Sequence, residues 1–175
     1  MPPEIVAGDL LDQPTEAIVN AWNRHLIPWW LLVPHGVSGA IRQRAGTAPF
    51  RELAKHGLLP LGGAVVTGAG RLPHRAIVHV AGLGLLWTTS ETAVRQGVRN
   101  ALRLATERRF ASIAFPRLGA GVGGANADRV ERWMTEEFAA ADYPGRVVLV
   151  RYAPPARPAV APAAAPAARC RLGRF

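Results

Sequence analysis

Apolar positions in this chain follow two alternating patterns. Short continuous runs rich in β-branched side chains, bounded by glycine or charged residues, recur in "EIVAGD", "EAIVNA", "GGAVVTGAG", "HRAIVHVAG", "ASIAFPRLG" and "GRVVLVRY". Runs of that length and make-up predict strands, most of them buried. The segments between them carry apolar residues at helical spacing. "VSGAIRQRAG" and "PFRELAKHG" predict short helices, each ended by a glycine. "SETAVRQGVRNALRLATERRF" opens with a Ser-Glu-Thr cap region and spaces Ala93, Val94, Val98, Ala101, Leu102 and Ala105 along one helical face. "NADRVERWMTEEFAAAD" predicts a last helix, with Asn126 or Asp128 as its cap. Strands alternating with helices predict an α/β sandwich around a largely parallel or mixed sheet. No internal repeat is visible.

The pattern stops after Tyr152. "APPARPAVAPAAAPAARCRLGRF" has no apolar periodicity, and such a composition cannot bury enough surface to offset the entropy of ordering. One domain is therefore expected over 1–152, followed by a flexible Pro/Ala/Arg-rich tail over 153–175.

Composition narrows the functional classes. The length of 175 residues suits a single domain, and 49% hydrophobic residues supply a core. No apolar run approaches the roughly 20 residues that span a bilayer. "MPPEIVAGD" lacks the basic and then apolar regions of a secretory signal, so a cytoplasmic protein without a membrane partner is expected. The single cysteine, Cys170, excludes a disulfide within the chain and a cysteine-based metal site. No metal or cofactor is expected. The net charge is +9, from 20 arginines and one lysine, Lys55, against 12 acids. Arg157, Arg169, Arg171 and Arg174 lie in the tail, which leaves +5 for the body. The balance favours an anionic ligand, with nucleic acid as an alternative partner that the basic tail could help to anchor.

Two glycine turns carry the candidate chemistry. The first is His35-Gly36-Val37-Ser38-Gly39 and the second Gly119-Ala120-Gly121-Val122-Gly123-Gly124. Each precedes a predicted helix, where unpaired backbone N–H groups and the helix dipole favour phosphate. Glycine lets a ligand approach the backbone closely. Two such turns from distant parts of the chain can grip a pyrophosphate from both sides. Gly119, Gly121 and Gly124 also match G-x-G-x-x-G. A dinucleotide fold places that motif in its first βα unit, whereas here it falls late, so a dehydrogenase is disfavoured. Asp9 follows the first strand. Its carboxylate can accept from an exocyclic amine such as adenine N6, or simply cap a turn. Asn20 and Asn23 end the second strand. An amide suits ribose hydroxyls at Asn23, while Asn20 is expected to satisfy nearby backbone. His35 is a candidate for proton transfer, and His79, mid-strand, is expected to be a satisfied core residue.

In order, "GDLLDQPTEAIVNAWN", "GVSGAIRQRAG", "LPLGGAVVTGAG", "AIVHVAG" and "SIAFPRLGAGVGG" resemble the signatures of the macrodomain family. The resemblance runs from about Ile5 to Tyr152. It implies a three-layer α/β/α sandwich with a mixed central sheet, and recognition of ADP-ribose or an ADP-ribosylated protein. Some relatives hydrolyse ADP-ribose from modified proteins or act on its acetylated form. By the same resemblance Asp9, with Leu10 beside it, matches the acid that holds the adenine amine, and Asn23 matches the amide at the distal ribose. Gly36, Val37 and Ser38 match the first phosphate loop, and Gly119, Ala120, Gly121, Val122 and Gly123 the second. Ser38 stands where many hydrolytic relatives carry an aspartate. Thr67 and Gly68, and Gly123, stand near where another hydrolytic branch carries its lysine and aspartate. The expected catalytic set is Asn23, Ser38 and His35, with the pyrophosphate itself helping to position water. A reader that binds without chemistry is the alternative. Trp22 is expected under the first loop, Trp29 and Trp30 over the distal end of the cleft or against the body, and Trp87 at the adenine end.

Overall fold

The computed structural model describes residues 2–23, 36–84, 88–121 and 124–154, Asn23 by its backbone alone. Six strands form one sheet: β1 (Glu4–Gly8), β2 (Ala17–Asn23), β3 (Ala64–Gly68), β4 (Ala76–Leu83), β5 (Ser112–Pro116) and β6 (Arg146–Tyr152). Their spatial order is β1-β6-β5-β2-β4-β3. All neighbours run parallel except the edge strand β3, which is antiparallel to β4. The sheet is therefore mixed.

Among the described residues four α-helices cover it: α1 (Gly36–Ala45), α2 (Ala48–Ala54), α3 (Glu91–Glu107) and α4 (Ala127–Ala140). Alternating strand side chains divide the core in two. Ala17, Val19, Val78, Val80, Ile113, Phe115 and Leu149 pack with Val94, Val98, Val130, Met134 and Phe138 of α3 and α4. Ile18, Ile77, Ala81, Ala114, Val148 and Val150 pack with Ile41, Phe50 and Leu53 of α1 and α2. The result is a three-layer α/β/α sandwich, and every residue of β4 is buried because both its faces are covered.

Local signals set the ends of the elements. Ser90 accepts from the Ala93 amide at 3.2 Å and caps α3. Of the two candidates at α4, Asn126 is the cap, accepting from the Arg129 amide at 3.0 Å. Gly46, with φ +84°, ends α1 in the left-handed region that glycine enters without strain. On the far side α3 and α4 are clamped together, since Arg95 and Arg99 both pair with the buried carboxylate of Glu137.

Topology creates the site. Neighbouring strands β2 and β5 are followed by helices on opposite faces of the sheet, α1 after β2 and α4 after β5. Adjacent strands whose connections part in this way leave a crevice at their carboxyl ends, where open α/β sheets bind ligands. The β2–β5 ladder pairs only Ala17 with Ile113 and Ile18 with Ala114, so the strands are unpaired toward that crevice.

Candidate ligand site

The described parts of the two glycine turns lie at these strand ends, Ser38 bonded to Asn20 and Ala21 of β2 and Gly119 following β5. Gly36, Val37 and Ser38 form the first turn of α1. Gly36 is exposed with φ +58°, and a Cβ there would meet nothing within 4 Å. The first turn holds no acid, and Arg42 and Arg44 lie in the last, so the charges leave the dipole at the N-terminus free for an anion. Val37 is half-buried against the α1–α2 core. Ser38 is buried, and its hydroxyl donates to Asn20 Oδ1 at 2.7 Å, with the Ala21 carbonyl at 3.2 Å.

Gly119, Ala120 and Gly121 leave β5 on the other side of the crevice. Gly119 has φ +81° and packs so closely on Thr89 that a Cβ would lie 2.6 Å from Cγ2. Ala120 packs partly on the α3–α4 core, while Gly121 is exposed and open. Backbone bonds from Gly124 to Gly121 and from Ala125 to Gly119 curl the loop back on itself.

Asp9 begins a 3-10 turn over Leu10–Asp12 at the end of β1. One oxygen, Oδ1, accepts from the Leu11 amide at 2.8 Å. The other, Oδ2, faces Arg44 Nη1 at 3.4 Å, a long contact for a hydrogen bond. Asp9 thus does cap a turn, and it keeps lone pairs for a second donor. Leu10 is 4% exposed, so its side chain belongs to the core and only its backbone is placed to meet a ligand.

Sequence reasoning overlooked Tyr152. It ends β6 opposite Gly8, one residue before Asp9, and is 69% exposed. It lies on the strand face of Val148 and Val150, the face from which Arg44 reaches Asp9. An exposed aromatic beside a carboxylate offers a stacking surface. The signal was an aromatic at a strand exit, but its neighbourhood with Asp9 depends on β6 pairing with β1, which no local pattern reveals.

Asn20 corrects an expectation. It satisfies two side chains, Ser38 and His79, rather than nearby backbone. His79 is the satisfied core residue expected, hydrogen-bonded to Asn20 and Thr67. Burial, and then the cationic form of His56, push its pKa down to about 3. Trp22 packs on Phe50 and His79, with ring centroids 5.7 and 6.5 Å away. The Asn23 side chain, His35, Trp29, Trp30, Trp87, Val122, Gly123 and residues 155–175 of the tail lie outside the described residues.

A crevice at the carboxyl ends of neighbouring parallel strands, a glycine turn on either side and a carboxylate at the first strand's end define a class of α/β/α sandwich whose strand ends suit an anion. The Macro domain model matches residues 19–134, and the chain belongs to that family. An O-acetyl-ADP-ribose deacetylase of Klebsiella pneumoniae is 36% identical over 130 residues, covering 70% of each chain. The Oceanobacillus iheyensis macrodomain solved with ADP superposes with a TM-score of 0.72 at 28% identity, covering 86% of this chain and 83% of that one. A mutant of it solved with ADPR gives 0.69 at 28% identity, covering 85% and 83%.

Proposed function

We propose that this protein binds ADP-ribose in the β2–β5 crevice and hydrolyses it from mono-ADP-ribosylated proteins or from O-acetyl-ADP-ribose. The observation that carries the binding reading is the switch-point crevice with a glycine turn on either side. The free N–H groups of the first turn of α1 and the open face at Gly121 suit a pyrophosphate, and an acid with spare lone pairs suits the adenine amine. Tyr152 would stack on the base.

In this proposal the catalytic contribution is positional. The Ser38 hydroxyl points its proton at Asn20, so it is placed to fix the first turn rather than to act as a base. Asn23 would hold the distal ribose, and the pyrophosphate would help to place the attacking water. Gly119 to Gly123 would hold the phosphate on the far side, and His35 is the remaining candidate for proton transfer. The similar deacetylase supports the hydrolytic part. A reader without chemistry is the second reading, supported by a serine rather than an acid at position 38. Nucleic-acid binding has less support from the body, because Arg44, Arg75, Arg95, Arg99, Arg103, Arg146 and Arg151 are each paired with a carboxylate.

Calorimetric titration with ADP-ribose tests the site. Saturable binding that Asp9→Ala weakens is expected. Binding of oligonucleotide with a steep salt dependence and none of ADP-ribose would contradict it.

A further inference from the structure

A line of polar side chains crosses the apolar core between α1 and β3. Ser38 Oγ donates to Asn20 Oδ1 at 2.7 Å. Asn20 Nδ2 lies 3.0 Å from His79 Nδ1. His79 Nε2 lies 2.8 Å from Thr67 Oγ1, which reaches the Gly68 carbonyl at 3.1 Å. Asn20 and His79 are fully buried, and Thr67 and Ser38 nearly so.

The donors and acceptors fit only in one order for this amide orientation. With Oδ1 taken by Ser38, Asn20 presents an N–H to His79, so Nδ1 must be the bare nitrogen. Nε2 then carries the ring proton and donates to Thr67, whose own proton goes to Gly68. A proton on Nδ1 would set two N–H groups against each other. The ring is held edge-on to Trp22 and Phe50, at interplanar angles of 89° and 71°. It has no room to exchange its nitrogens without disturbing both neighbours.

Fold stability alone does not account for this line. Apolar side chains of similar volume could fill the same space without any need for partners. The line connects two particular places: the exit of the edge strand β3 and the first turn of α1. Gly68 is tied on to α2, because its amide donates to Glu52 at 2.8 Å. At the other end Ser38 is bonded to β2 through both Asn20 and Ala21, and this sets how deep the turn sits and where its N–H groups point.

We infer that Asn20, His79 and Thr67 are positioning residues for the ligand turn at Gly36–Ser38, acting through a one-way hydrogen-bond chain that runs from the Ser38 hydroxyl to the Gly68 carbonyl. The inference rests on the reading of that turn as a ligand contact. A pyrophosphate gripped from two sides is sensitive to small displacements of either turn, so a distant break in the chain reaches the ligand.

The test combines ADP-ribose titration with nitrogen NMR of the His79 ring and of the Val37 and Ser38 amides. Thr67→Val removes the acceptor of the ring N–H while keeping the shape, and Thr67→Ser restores it. The expected result is a bare Nδ1 in the wild type, displaced Val37 and Ser38 amide signals in Thr67→Val, and affinity reduced by about tenfold there. Thr67→Ser is expected to stay within about twofold of the wild type, since it keeps the hydrogen bond. Thr67→Val that loses thermal stability but keeps wild-type affinity would show a merely structural chain and overturn the inference. So would a protonated Nδ1 in the wild type. His79→Gln serves as second variant should Thr67→Val not fold, and unchanged affinity there overturns the inference equally. If the wild type itself binds no ADP-ribose, the reading of the site falls instead. The amide signals then decide the chain, and signals unmoved by Thr67→Val overturn it.

Discussion

Substituting Gly119 by alanine perturbs the second turn in a way whose size can be worked from the structure. The residue has φ +81°, where an L side chain costs about 1–2 kcal/mol. The new Cβ would sit 2.6 Å from Thr89 Cγ2 and 2.8 Å from Thr89 Cβ. Thr89 is not free to swing aside, because its hydroxyl donates to the Gly82 carbonyl at 2.7 Å. Overpacking of this kind costs about 1–3 kcal/mol. The two effects together give about 2–5 kcal/mol, a fall in Tm of roughly 4–20 °C for a chain of this size. Gly121→Ala is the companion. Gly121 is exposed, and an added Cβ meets nothing within 4 Å, so stability should stay within about 0.5 kcal/mol. Its methyl group would nonetheless stand on the open side of the turn and reduce ADP-ribose affinity by about tenfold or more. Denaturant unfolding and calorimetry on both variants separate the effects. Gly119→Ala with wild-type stability and affinity would refute the packing argument. Gly121→Ala with wild-type affinity would refute the turn as a ligand contact.

Other outcomes follow from single residues. His79 titrates near 3 when folded and near 6.5 when unfolded, so between those values the unfolded chain binds the extra proton. Its stability contribution is complete above about pH 6.5 and is lost as pH falls, by about 2 kcal/mol at pH 5. Denaturant unfolding should show that loss, and His79→Gln should flatten it. Asp9→Ala should weaken ADP-ribose binding by roughly 10- to 100-fold, as expected for a charge-assisted hydrogen bond to the base. The same variant loses the cap of the 3-10 turn, worth about 1 kcal/mol, so thermal unfolding should move only slightly. Gly97→Ala in α3 sets helix propensity against packing. Alanine gains about 1 kcal/mol, but its Cβ would lie 2.6 Å from Cγ1 of the buried Val80, and overpacking of about 1–3 kcal/mol should win. A Tm at or above wild type would show that the sheet yields more easily than expected.

The elements of this fold were legible because each carries its own local signature. β-branched runs such as Ala17 to Val19 and Ala76 to Val80 can only be buried, and the α3 apolar face repeats at helical spacing. Glycine and the capping residues Ser90 and Asn126 mark element ends for reasons confined to a few neighbouring residues. The turns were legible as turns for the same reason. Strand order was not, and Tyr152 stayed hidden with it, since its place beside Asp9 depends on pairing between the two ends of the chain. The partners of Asn20 are not legible locally because they come from positions 38 and 79, on different elements. The 3-10 turn after Asp9 is not legible in the sequence, because three residues are too few to show a period.

Release of free ADP-ribose from a protein mono-ADP-ribosylated on Asp or Glu tests the central proposal most directly, with Asn23→Ala as control and binding of ADP-ribose measured on the same sample. Release that disappears with Asn23→Ala is the predicted result, and would establish hydrolysis with a serine at position 38. Tight binding without release would contradict the hydrolytic proposal for acidic linkages and leave the protein a reader of ADP-ribose.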